Sequence, residues 1–492
     1  MEGCSVCDPC GGCVYQRIPY EEELALKDKM AREILTRALK QHGDRFSEAF
    51  GRPGEQGADI LGGIYEGITG SPVTEGYRNK MEFSFGNAVK DGPITLGMHV
   101  PGHFMDVIDT PDCSIVDGDF RLVREYVLLF AKERELPFYH RYTNSGFLRN
   151  LLVRKGIKTG ELLLDIVTTS DEELDVDAFV SGLLKLPLSG SLEGVLHTIH
   201  DGVADAVINE HTSVIYGRDH IFDEVLGLRF KISAFSFFQT NTLGAEVLYE
   251  RVREYVRYAV GRGSDTHAGG EPCRGGGKAV RDQGFRKADD GYIASDIGGE
   301  NGTSRNIEDG GIQGNGRSAG IVYDLYSGTG TIAQLMADTA SFVYGVEIVP
   351  EAVEAARVNA EFNGIDNVSF LCGDVLKVLD EMTEKPDLII LDPPRDGVNP
   401  RALRKILDYG VDNIVYVSCK ITSLARDLHM MLDAGYLPRR ISVIDLFPRT
   451  GNFESIALLE RVSNRKADAK VHIDVDLEDY YRIKDAQGKD GK

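Results

Sequence analysis

Six short apolar runs between residues 321 and 462 alternate with segments of helical periodicity, and they constrain the fold more than any other feature. Each run has four to six residues and few polar side chains, as expected of strands buried on both faces of a parallel sheet. The runs are Ile321–Tyr326, Phe342–Val346, Val368–Leu371, Leu388–Leu391, Asn413–Val417 and Ser455–Leu459. They predict a doubly wound α/β domain, in which ligands bind beyond the carboxyl ends of the strands.

The composition and the apolar periodicity of the remaining sequence change several times along the chain. Apolar residues recur at helical spacing between 20 and 50, and short β-rich runs such as Leu162–Thr168 and Ala204–Ile208 then indicate an α+β region around antiparallel sheet. Residues 261–320 hold 17 of the 55 glycines with little apolar periodicity, which predicts a flexible insertion. The predicted parts are a cysteine-rich loop and helix (1–57), a central α+β domain (58–231), the α/β domain with its insertion (232–462) and a charged tail with one candidate strand, Val471–Val475 (463–492).

Charge and hydropathy exclude several classes of protein. The 492 residues include 55 basic and 77 acidic side chains, so the net charge of −22 argues against a protein that simply coats nucleic acid. No apolar run approaches the roughly 20 residues of a membrane helix, and the first residues lack the pattern of a signal peptide. We therefore expect a cytoplasmic protein in a reducing compartment, with a monomer as the default state.

Four of the eight cysteines lie in the first thirteen residues: Cys4, Cys7, Cys10 and Cys13. In a reducing compartment such crowding indicates metal binding in preference to disulfides. Thiolates separated by two residues suit either zinc or an iron–sulfur cluster, and a purely local four-cysteine site is one possibility.

The first strand of the α/β domain leads into a glycine-rich loop, Asp324-Leu-Tyr-Ser-Gly-Thr-Gly-Thr331. Its glycines let the chain pass under a ligand, and Glu347, at the end of the second strand, is placed to bind both hydroxyls of a ribose. Asp374, after the third strand, lies where an adenine edge is expected. The same loop also fits a dinucleotide fingerprint, so NAD competes on this motif alone.

The later strand ends argue against NAD. Asp392-Pro-Pro-Arg395 follows the fourth strand, the thiol of Cys419 follows the fifth, and Glu454 brings a second carboxylate to the same edge. A thiol, a carboxylate and an adenosyl site together predict nucleophilic attack on an electron-poor ring, methyl transfer and proton removal. The alternative for Cys419 is a buried, inert core thiol.

Together these stretches resemble the uracil-5 methyltransferases that act on 23S ribosomal RNA and tRNA, over nearly the whole chain apart from 261–320 and the tail. The matching stretches are Cys10-Gly-Gly-Cys13, Tyr77-Arg-Asn-Lys80, Phe237-Phe-Gln-Thr-Asn241, Asp324–Thr331, Asp392–Arg395, Ser418-Cys419 and Phe447-Pro-Arg-Thr450. The resemblance implies a Rossmann-like class I methyltransferase domain with an N-terminal α+β iron–sulfur and RNA-binding region. It also implies synthesis of 5-methyluridine, in 23S ribosomal RNA first and in tRNA as the alternative.

The resemblance assigns roles to individual residues. Cys419 would be the nucleophile and Glu454 the base. The S-adenosylmethionine site would be lined by Gln239, Tyr326, Thr331, Glu347, Asp374 and Asp392. A [4Fe–4S] cluster would be held by Cys4, Cys10, Cys13 and Cys113, which leaves Cys7 spare. One departure is Asn452, which stands where the family usually has a histidine.

RNA contacts are expected from the central domain, where basic residues cluster in the sequence: Arg78, Lys80, Arg149, Arg154, Lys155 and Lys158. Two other functions remain open. One is methylation of an exocyclic base nitrogen, which also uses Asp-Pro-Pro motifs but needs no cysteine. The other is a noncatalytic iron–sulfur protein that binds RNA.

Overall fold

The computed structural model describes residues 4–40, 42, 60–203, 211–262 and 319–462. Residues 1–259 and 318–492 belong to one compact unit, and the second unit, Val260–Arg317, lies almost entirely outside the described ranges. The predicted strands Ala204–Ile208 and Val471–Val475 and nearly all of the predicted 261–320 insertion also lie outside them.

The elements of the amino-terminal half are α1 (Cys7–Cys10), α2 (Tyr20–Lys40), β1 (Tyr65–Thr69), β2 (Lys80–Asn87), β3 (Ile94–Val100), β4 (His103–Asp109), α3 (Gly118–Glu133), β5 (Leu148–Lys155), β6 (Glu161–Thr168), α4 (Val176–Leu183), β7 (Ser191–Ile199), β8 (His211–Gly217), β9 (His220–Val225) and β10 (Leu228–Ser233). Those of the carboxyl-terminal half are α5 (Thr242–Arg262), β11 (Ala319–Leu325), α6 (Thr331–Met336), β12 (Ala340–Glu347), α7 (Pro350–Phe362), β13 (Val368–Cys372), α8 (Val375–Glu381), β14 (Leu388–Leu391), α9 (Pro400–Asp408), β15 (Asn413–Ser418), α10 (Ile421–Asp433), β16 (Tyr436–Ile444) and β17 (Glu454–Arg461).

An eight-stranded sheet has the order β1-β16-β17-β15-β14-β11-β12-β13, with β17 antiparallel to both of its neighbours. All six predicted apolar runs are strands of this sheet, so the predicted α/β fold is confirmed. Its strands β14 and β15 are almost fully buried, which explains their continuous apolar sequence. Strand β16 was not predicted, because Pro438, Arg439 and Arg440 interrupt its apolar pattern.

Two amino-terminal elements, a strand and a helix, also contact this sheet. Strand β1 pairs in parallel with β16, although it lies within the predicted central domain of 58–231. Helix α2 buries Ala31, Leu35 and Leu39 in the same core. The predicted helix over 20–50 is thus observed as far as Lys40, and residues 43–59 lie outside the described part. The domain boundaries themselves stay a prediction.

A seven-stranded sheet has the order β3-β4-β2-β5-β6-β7-β8 and packs against α3 and α4. Most of its neighbouring strands are antiparallel, as predicted for an α+β region. Its core contains large buried aromatic side chains, among them Phe83, Phe120 and Phe179. Among the helices in the described ranges, each is too short or too polar to cross a membrane.

Candidate active site

The order of the large sheet creates a crevice where it reverses direction. From β11 the chain continues to β12 and β13 on one side, and it later fills the other side with β14 and β15. In doubly wound sheets this reversal separates the loops at the carboxyl ends of the strands and leaves room for a ligand. The glycine-rich loop after β11 and Asp392 after β14 border this crevice.

The glycine-rich loop depends on backbone conformations that favour glycine. Gly328 and Gly330 have φ values of 53° and 75°, and a Cβ at Gly330 would lie 2.6 Å from the Phe370 ring. Tyr326, at the start of the loop, has a φ of 69° without being glycine. Such a conformation persists in a bulky residue only where the surrounding structure enforces it, and it is common at functional sites.

Glu347 ties the loop to the second strand. Its Oε2 accepts a hydrogen bond of 3.0 Å from the Gly328 N–H, and its Oε1 accepts bonds of 2.9 and 3.0 Å from the N–H groups of Ile348 and Val349. The next strand end carries Asp374, which caps α8 by accepting a hydrogen bond from the Leu376 N–H. Both predicted cofactor carboxylates therefore lie at neighbouring strand ends, held by backbone donors.

Other predicted cofactor residues approach from the loop and from the segment before α5. Thr331 is buried as the first residue of α6, and the Thr329 hydroxyl donates to the Phe237 carbonyl across 3.3 Å. Burial and the charges of Asp374 and Asp427 raise the pKa of Tyr326 to about 12. Gln239 is buried, and its carbonyl accepts a 2.7 Å hydrogen bond from Asn79. The strand ends and this segment thus bring the predicted cofactor residues to one edge.

Asp324 is a site residue to which the sequence analysis assigned no role. It is fully buried, and neither carboxylate oxygen accepts a well-formed hydrogen bond from a described residue, although the Ala333 N–H lowers its pKa in part. Burial, followed by the charge of Asp392, raises its pKa well above the usual value. An unpaired buried carboxylate beneath the glycine-rich loop fits a cofactor that carries a positive charge and hydrogen-bond donors, as S-adenosylmethionine does.

Tyr249 on α5 is a second residue that the sequence did not reveal. Burial raises the pKa of its hydroxyl, and the Gln239 side chain lowers it in part. Its pKa is raised further by the charges of three carboxylates, Asp392, Glu454 and Asp324. The tyrosine therefore lies among the acidic groups of the crevice. No sequence motif marked it, because it is one apolar-facing position in an amphipathic helix.

The antiparallel register of β15 and β17 places Cys419 beside Glu454. Ser418 pairs with Ser455, so the next pair in the same register is Cys419 with Glu454. Glu454 is buried as the first residue of β17, and Cys419 is partly buried just before α10. The predicted nucleophile and base thus come from adjacent strands at one edge of the sheet.

The electrostatics of this pair are dominated by burial and by like charges. Burial, Glu454 and Asp392 raise the pKa of Cys419 to about 11, and Arg395 lowers it. Burial and Asp392 raise the pKa of Glu454 to about 8, which Arg395 again opposes. Burial raises the pKa of Asp392 itself to about 7. Two acids with values near neutrality are suited to exchanging protons at physiological pH.

Arg395 is the cation that the structure places against the reacting groups. Its Nη2 donates a 2.9 Å hydrogen bond to the side-chain oxygen of Asn452, two residues before Glu454. Its backbone carbonyl accepts a hydrogen bond of 2.8 Å from the Ser423 hydroxyl on α10. The asparagine that stands in place of the usual histidine therefore holds Arg395 near Cys419 and Glu454.

Three of the basic residues expected to contact RNA are instead buried and bound to other groups of the protein. Arg154 is almost fully buried and donates to the carbonyl groups of Ala234 and Ser236. Lys155 is buried between Asp117 and Asp119. The remaining buried residue, Arg149, donates to two backbone carbonyls of the 200–202 segment. The prediction of RNA contacts was wrong for these three, because sequence clustering does not show which face of a strand a side chain occupies.

The amino-terminal cysteines lie around one cavity of about 210 Å³, together with Cys113 and Arg78. Within the described residues, however, no group of three or more metal-binding side chains is positioned to hold a single metal ion. Burial raises the pKa of Cys4 to about 11 and that of Cys13 to about 12. All these cysteines are free thiols in this structure.

The five thiols are not equivalent. Cys4, Cys10, Cys13 and Cys113 interact electrostatically in every pairwise combination, and each mutual interaction raises a thiol pKa. Cys7 instead acts on Cys10 and on the exposed Arg17. The four thiols that interact mutually are those expected to bind a cluster.

Comparisons with known proteins identify the family. Residues 317–434 match the family model of a methyltransferase domain. A protein of Clostridium acetobutylicum, named as an uncharacterized RNA methyltransferase, is 39% identical over 452 residues, which cover 92% of this chain and 82% of that protein. The chain belongs to the RNA methyltransferases. A relative from Caldanaerobacter subterraneus with the same description is also 39% identical and covers 92% of this chain and 83% of its own length.

A solved structure has the same fold as this RNA methyltransferase. It is the Pyrococcus abyssi tRNA (uracil-54, C5)-methyltransferase in complex with S-adenosyl-L-homocysteine, with a TM-score of 0.61 and 22% identity. The similarity covers 91% of this chain and 85% of that one. The glycine-rich loop lies within the residues that match the methyltransferase-domain model, which agrees with the interpretation that set NAD aside.

Proposed function

We propose that this RNA methyltransferase methylates carbon 5 of uracil and forms 5-methyluridine. The observation that carries the proposal is the register between β15 and β17: its last pair is Ser418 with Ser455, so Cys419 and Glu454 are the residues that adjoin this pair on the two strands. Methylation of a base nitrogen, which already has a lone pair, would need neither a thiol nor a second base. The solved structure with the same fold is named as a uracil-C5 methyltransferase, which agrees with the proposed chemistry.

Uracil C5 is a weak nucleophile, so the chain must activate it. The Cys419 thiolate adds to C6, and the electrons of the C5–C6 double bond become available at C5. C5 then takes the methyl group and keeps its hydrogen, which leaves a saturated adduct bonded to Cys419. The Glu454 carboxylate removes the C5 proton, the double bond re-forms, and the C6–S bond breaks.

Cys419 must lose its proton before it can add to the ring. Its raised pKa keeps it a thiol in the cofactor-free protein, since burial first and then the charges of Glu454 and Asp392 disfavour the thiolate. Bound S-adenosylmethionine supplies the electrophilic methyl group and the positive charge of its sulfonium. Arg395 acts in the same direction, because it lowers the pKa values of both Cys419 and Glu454. Asp392, whose pKa of about 7 lies near neutrality, accepts the thiol proton, and this leaves the Glu454 carboxylate free to take the C5 proton.

The substrate is proposed to be 23S ribosomal RNA, and the enzyme is proposed to act in the cytoplasm. The cysteine-rich amino terminus favours ribosomal RNA through the family resemblance, whereas the solved neighbour is named for tRNA. Unmodified transcripts of both RNAs, incubated with methyl-labelled S-adenosylmethionine and digested to nucleosides, distinguish these substrates by mass spectrometry. We expect label in 5-methyluridine, and label in an N-methylated nucleoside instead would overturn the proposed chemistry.

We further propose that Cys4, Cys10, Cys13 and Cys113 hold a [4Fe–4S] cluster. Each thiolate of such a cluster binds a different iron, so the four ligands need not converge as they would on a single ion. The cavity that these four thiols line together with Cys7, and the electrostatic interactions among the four, support a cluster at this place. The choice of these four over Cys7 follows the family resemblance. The cluster would join the amino-terminal loop to the start of α3 through Cys113.

Two serine variants test this ligand set. We expect Cys7→Ser to keep the broad visible absorbance of an iron–sulfur protein purified without oxygen, and Cys113→Ser to lose it and to unfold at lower temperature. Iron and zinc analysis of the wild-type protein provides the control. Stoichiometric zinc without iron, or bleaching by Cys7→Ser alone, would contradict the proposed cluster.

A further inference from the structure

A projecting turn between α3 and β5 has a surface that the catalytic chemistry does not use. Its residues 138–145, called here the aromatic turn, read Phe-Tyr-His-Arg-Tyr-Thr-Asn-Ser. The first residues are extended, as shown by isolated bridges from Phe138 to Leu148 and from His140 to Ser145. Alternate side chains of an extended segment share a face, so Phe138 and His140 lie on one side. Tyr142 follows in the turn that the His140 carbonyl closes by accepting hydrogen bonds from the N–H groups of Thr143 and Asn144.

These three rings form a ladder. The ring centroids of Phe138 and His140 are 6.3 Å apart, and those of His140 and Tyr142 are also 6.3 Å apart. Exposure increases along the ladder from the partly buried Phe138 to Tyr142, whose side chain is 83% exposed. A single exposed aromatic residue is ordinary, but an aligned series that ends in an almost fully exposed tyrosine is a typical recognition surface.

The aromatic turn is held rigidly. The Tyr139 N–H donates to the Leu148 carbonyl, the His140 N–H donates to the Ser145 carbonyl, and the Tyr139 hydroxyl donates to the Asn144 side chain. The buried Arg149 guanidinium lies 4.1 Å from the centre of the Tyr139 ring on the face opposite the ladder. Because the turn is already ordered, a ligand that stacks on the exposed rings costs little conformational entropy.

The charge of the turn suits a polyanion. Residues 137–148 contain no aspartate or glutamate, in a chain whose net charge is −22, and they include Arg141 and His140. The Arg141 Nη2 lies 3.3 Å from Nε2 of His99, at the end of β3. One acidic group nearby, Asp171, accepts a hydrogen bond from the Gly146 N–H at the far end of the turn. The outer face thus combines rings, an arginine and uncharged hydrogen-bonding groups.

Strand β5 links this surface to the catalytic crevice. It begins at Leu148 beside the turn and ends at Arg154 and Lys155, about 23 Å away by the rise of an extended strand. At that end, Arg154 holds the carbonyls of Ala234 and Ser236, just before the Phe237–Asn241 segment of the cofactor site. One folded RNA is long enough to contact both ends of β5.

We propose that the aromatic turn is an RNA-docking surface that stacks unpaired nucleotides of the substrate outside the catalytic crevice. Single-stranded bases are recognised by stacking on aromatic side chains and arginine, which is the chemistry that His140, Arg141 and Tyr142 present. The inference rests on the protein being an RNA methyltransferase and is independent of which base atom is methylated.

Binding of fluorescein-labelled, unmodified transcripts of 23S ribosomal RNA fragments and of tRNA tests the surface by anisotropy. Stacking of one base contributes about 1–3 kcal/mol, so we expect Tyr142→Ala to raise the Kd of at least one probe about tenfold, and His140→Ala by less. The matched control is Phe362→Ala, which removes an exposed ring from α7 that stacks on Phe222. It should leave the Kd of both probes unchanged.

Two further measurements separate docking from folding and from catalysis. Calorimetric titration with S-adenosylhomocysteine and thermal melting should be the same for Tyr142→Ala and the wild type. Transcripts containing 4-thiouridine, crosslinked by light, should yield RNA attached to peptides of residues 137–148. An unchanged Kd for both probes, or crosslinks confined to other surfaces, would overturn the proposal. The identity of the methylated nucleoside tests the proposed reaction separately, so failure of one does not imply failure of the other.

Discussion

Two groups of buried charges each include one acid from the last hairpin of the large sheet, β16 to β17, and they are built in opposite ways. In the catalytic group, Asp324, Asp392 and Glu454 are buried acids whose pKa values are raised. In the second group, called here the buried ion cluster, Glu23 and Asp445 are buried acids that share the ammonium group of Lys27, which partly opposes the rise that burial causes in the pKa of Glu23. Asp445 is only nine residues before Glu454, so one segment carries both kinds of acid.

The buried ion cluster is centred on Lys27. Its Nζ lies 2.8 Å from a carboxylate oxygen of Glu23 and 2.8 Å from one of Asp445, and all three side chains are fully buried. Tyr20 donates a further hydrogen bond to Asp445, and the Arg449 N–H donates one of 2.7 Å to Glu23. Helix α2 is therefore fastened to the segment that leads into Glu454.

The same segment also contacts the cysteine-rich loop. The Arg449 carbonyl accepts hydrogen bonds of 2.7 and 3.0 Å from the N–H groups of Val14 and Tyr15, immediately after Cys13. Arg449 has a φ of 71°, a left-handed conformation that a non-glycine residue adopts only under constraint. Paired charges thus hold the framework in place, whereas unpaired acids are left where chemistry requires a proton to move.

The largest expected effect is on catalysis by removal of the nucleophile. Cys419→Ala takes away the group that adds to C6, so the rate of methyl transfer should fall at least about a thousandfold. S-adenosylhomocysteine binding and the melting temperature should change little, because the side chain is small and only partly buried. Single-turnover methylation and calorimetric titration measure the two quantities. Cys372→Ala, which removes an exposed thiol, is the matched control.

Loss of the paired cation should have the largest effect on stability. Lys27→Met leaves Glu23 and Asp445 buried without their shared ammonium group, which costs about 3–5 kcal/mol in the free energy of unfolding. Denaturant titration of the full chain measures this value. Lys29→Met changes an exposed lysine two residues along α2 and should stay within about 0.5 kcal/mol of the wild type. Equal losses in both variants would show that the cluster contributes no specific stability.

Removal of the proposed base should trap the reaction after methyl transfer. Glu454→Gln keeps the shape of the side chain but cannot take the C5 proton, so product release should slow by about a hundredfold or more. A covalent RNA–protein adduct through Cys419 should then survive denaturing electrophoresis. Glu460→Gln, farther along β17 and paired with Arg439, is expected to release product normally. Free methylated RNA at the wild-type rate, without an adduct, would remove Glu454 from this role.

Whether a feature of the fold or of the site could be predicted from the sequence depends on how far apart in the chain its interacting residues lie. The strands of the large sheet and the residues at their ends were predictable, because local apolar patterns and motif order determine both. Tyr249 and Arg395 were not recognised as neighbours of Glu454, since their contacts depend on how α5 and the Asp392–Arg395 turn pack. Arg154 and Lys155 were wrongly expected to contact RNA for a related reason. The groups that they bind inside the protein, such as Asp117 for Lys155, are distant in the sequence.

The smallest expected effect is on the free energy of unfolding of Asp324→Asn, which should rise, whereas that of Lys27→Met should fall. A carboxyl group with a raised pKa binds its proton more tightly in the folded state than in the unfolded state. The free energy of unfolding therefore falls as the pH rises above the ordinary carboxyl pKa, which is near 4. Asp324→Asn removes this penalty. We expect the variant to be more stable than the wild type by about 1–2 kcal/mol at pH 7, with a smaller difference at pH 4.

Denaturant titrations of both proteins at the two pH values measure this difference, and titration with S-adenosylmethionine measures its functional cost. Asp324→Asn should bind the cofactor more weakly, because the amide cannot ionise, whereas the positive charge of the bound sulfonium compound favours ionisation of the Asp324 carboxyl group. Asp427→Asn serves as the contrast, since that buried carboxylate is paired with Arg426 and accepts a hydrogen bond from Tyr416. It should lose stability. If Asp324→Asn were instead less stable at pH 7 than at pH 4 relative to the wild type, Asp324 would have a partner in the folded protein and would belong with the paired charges.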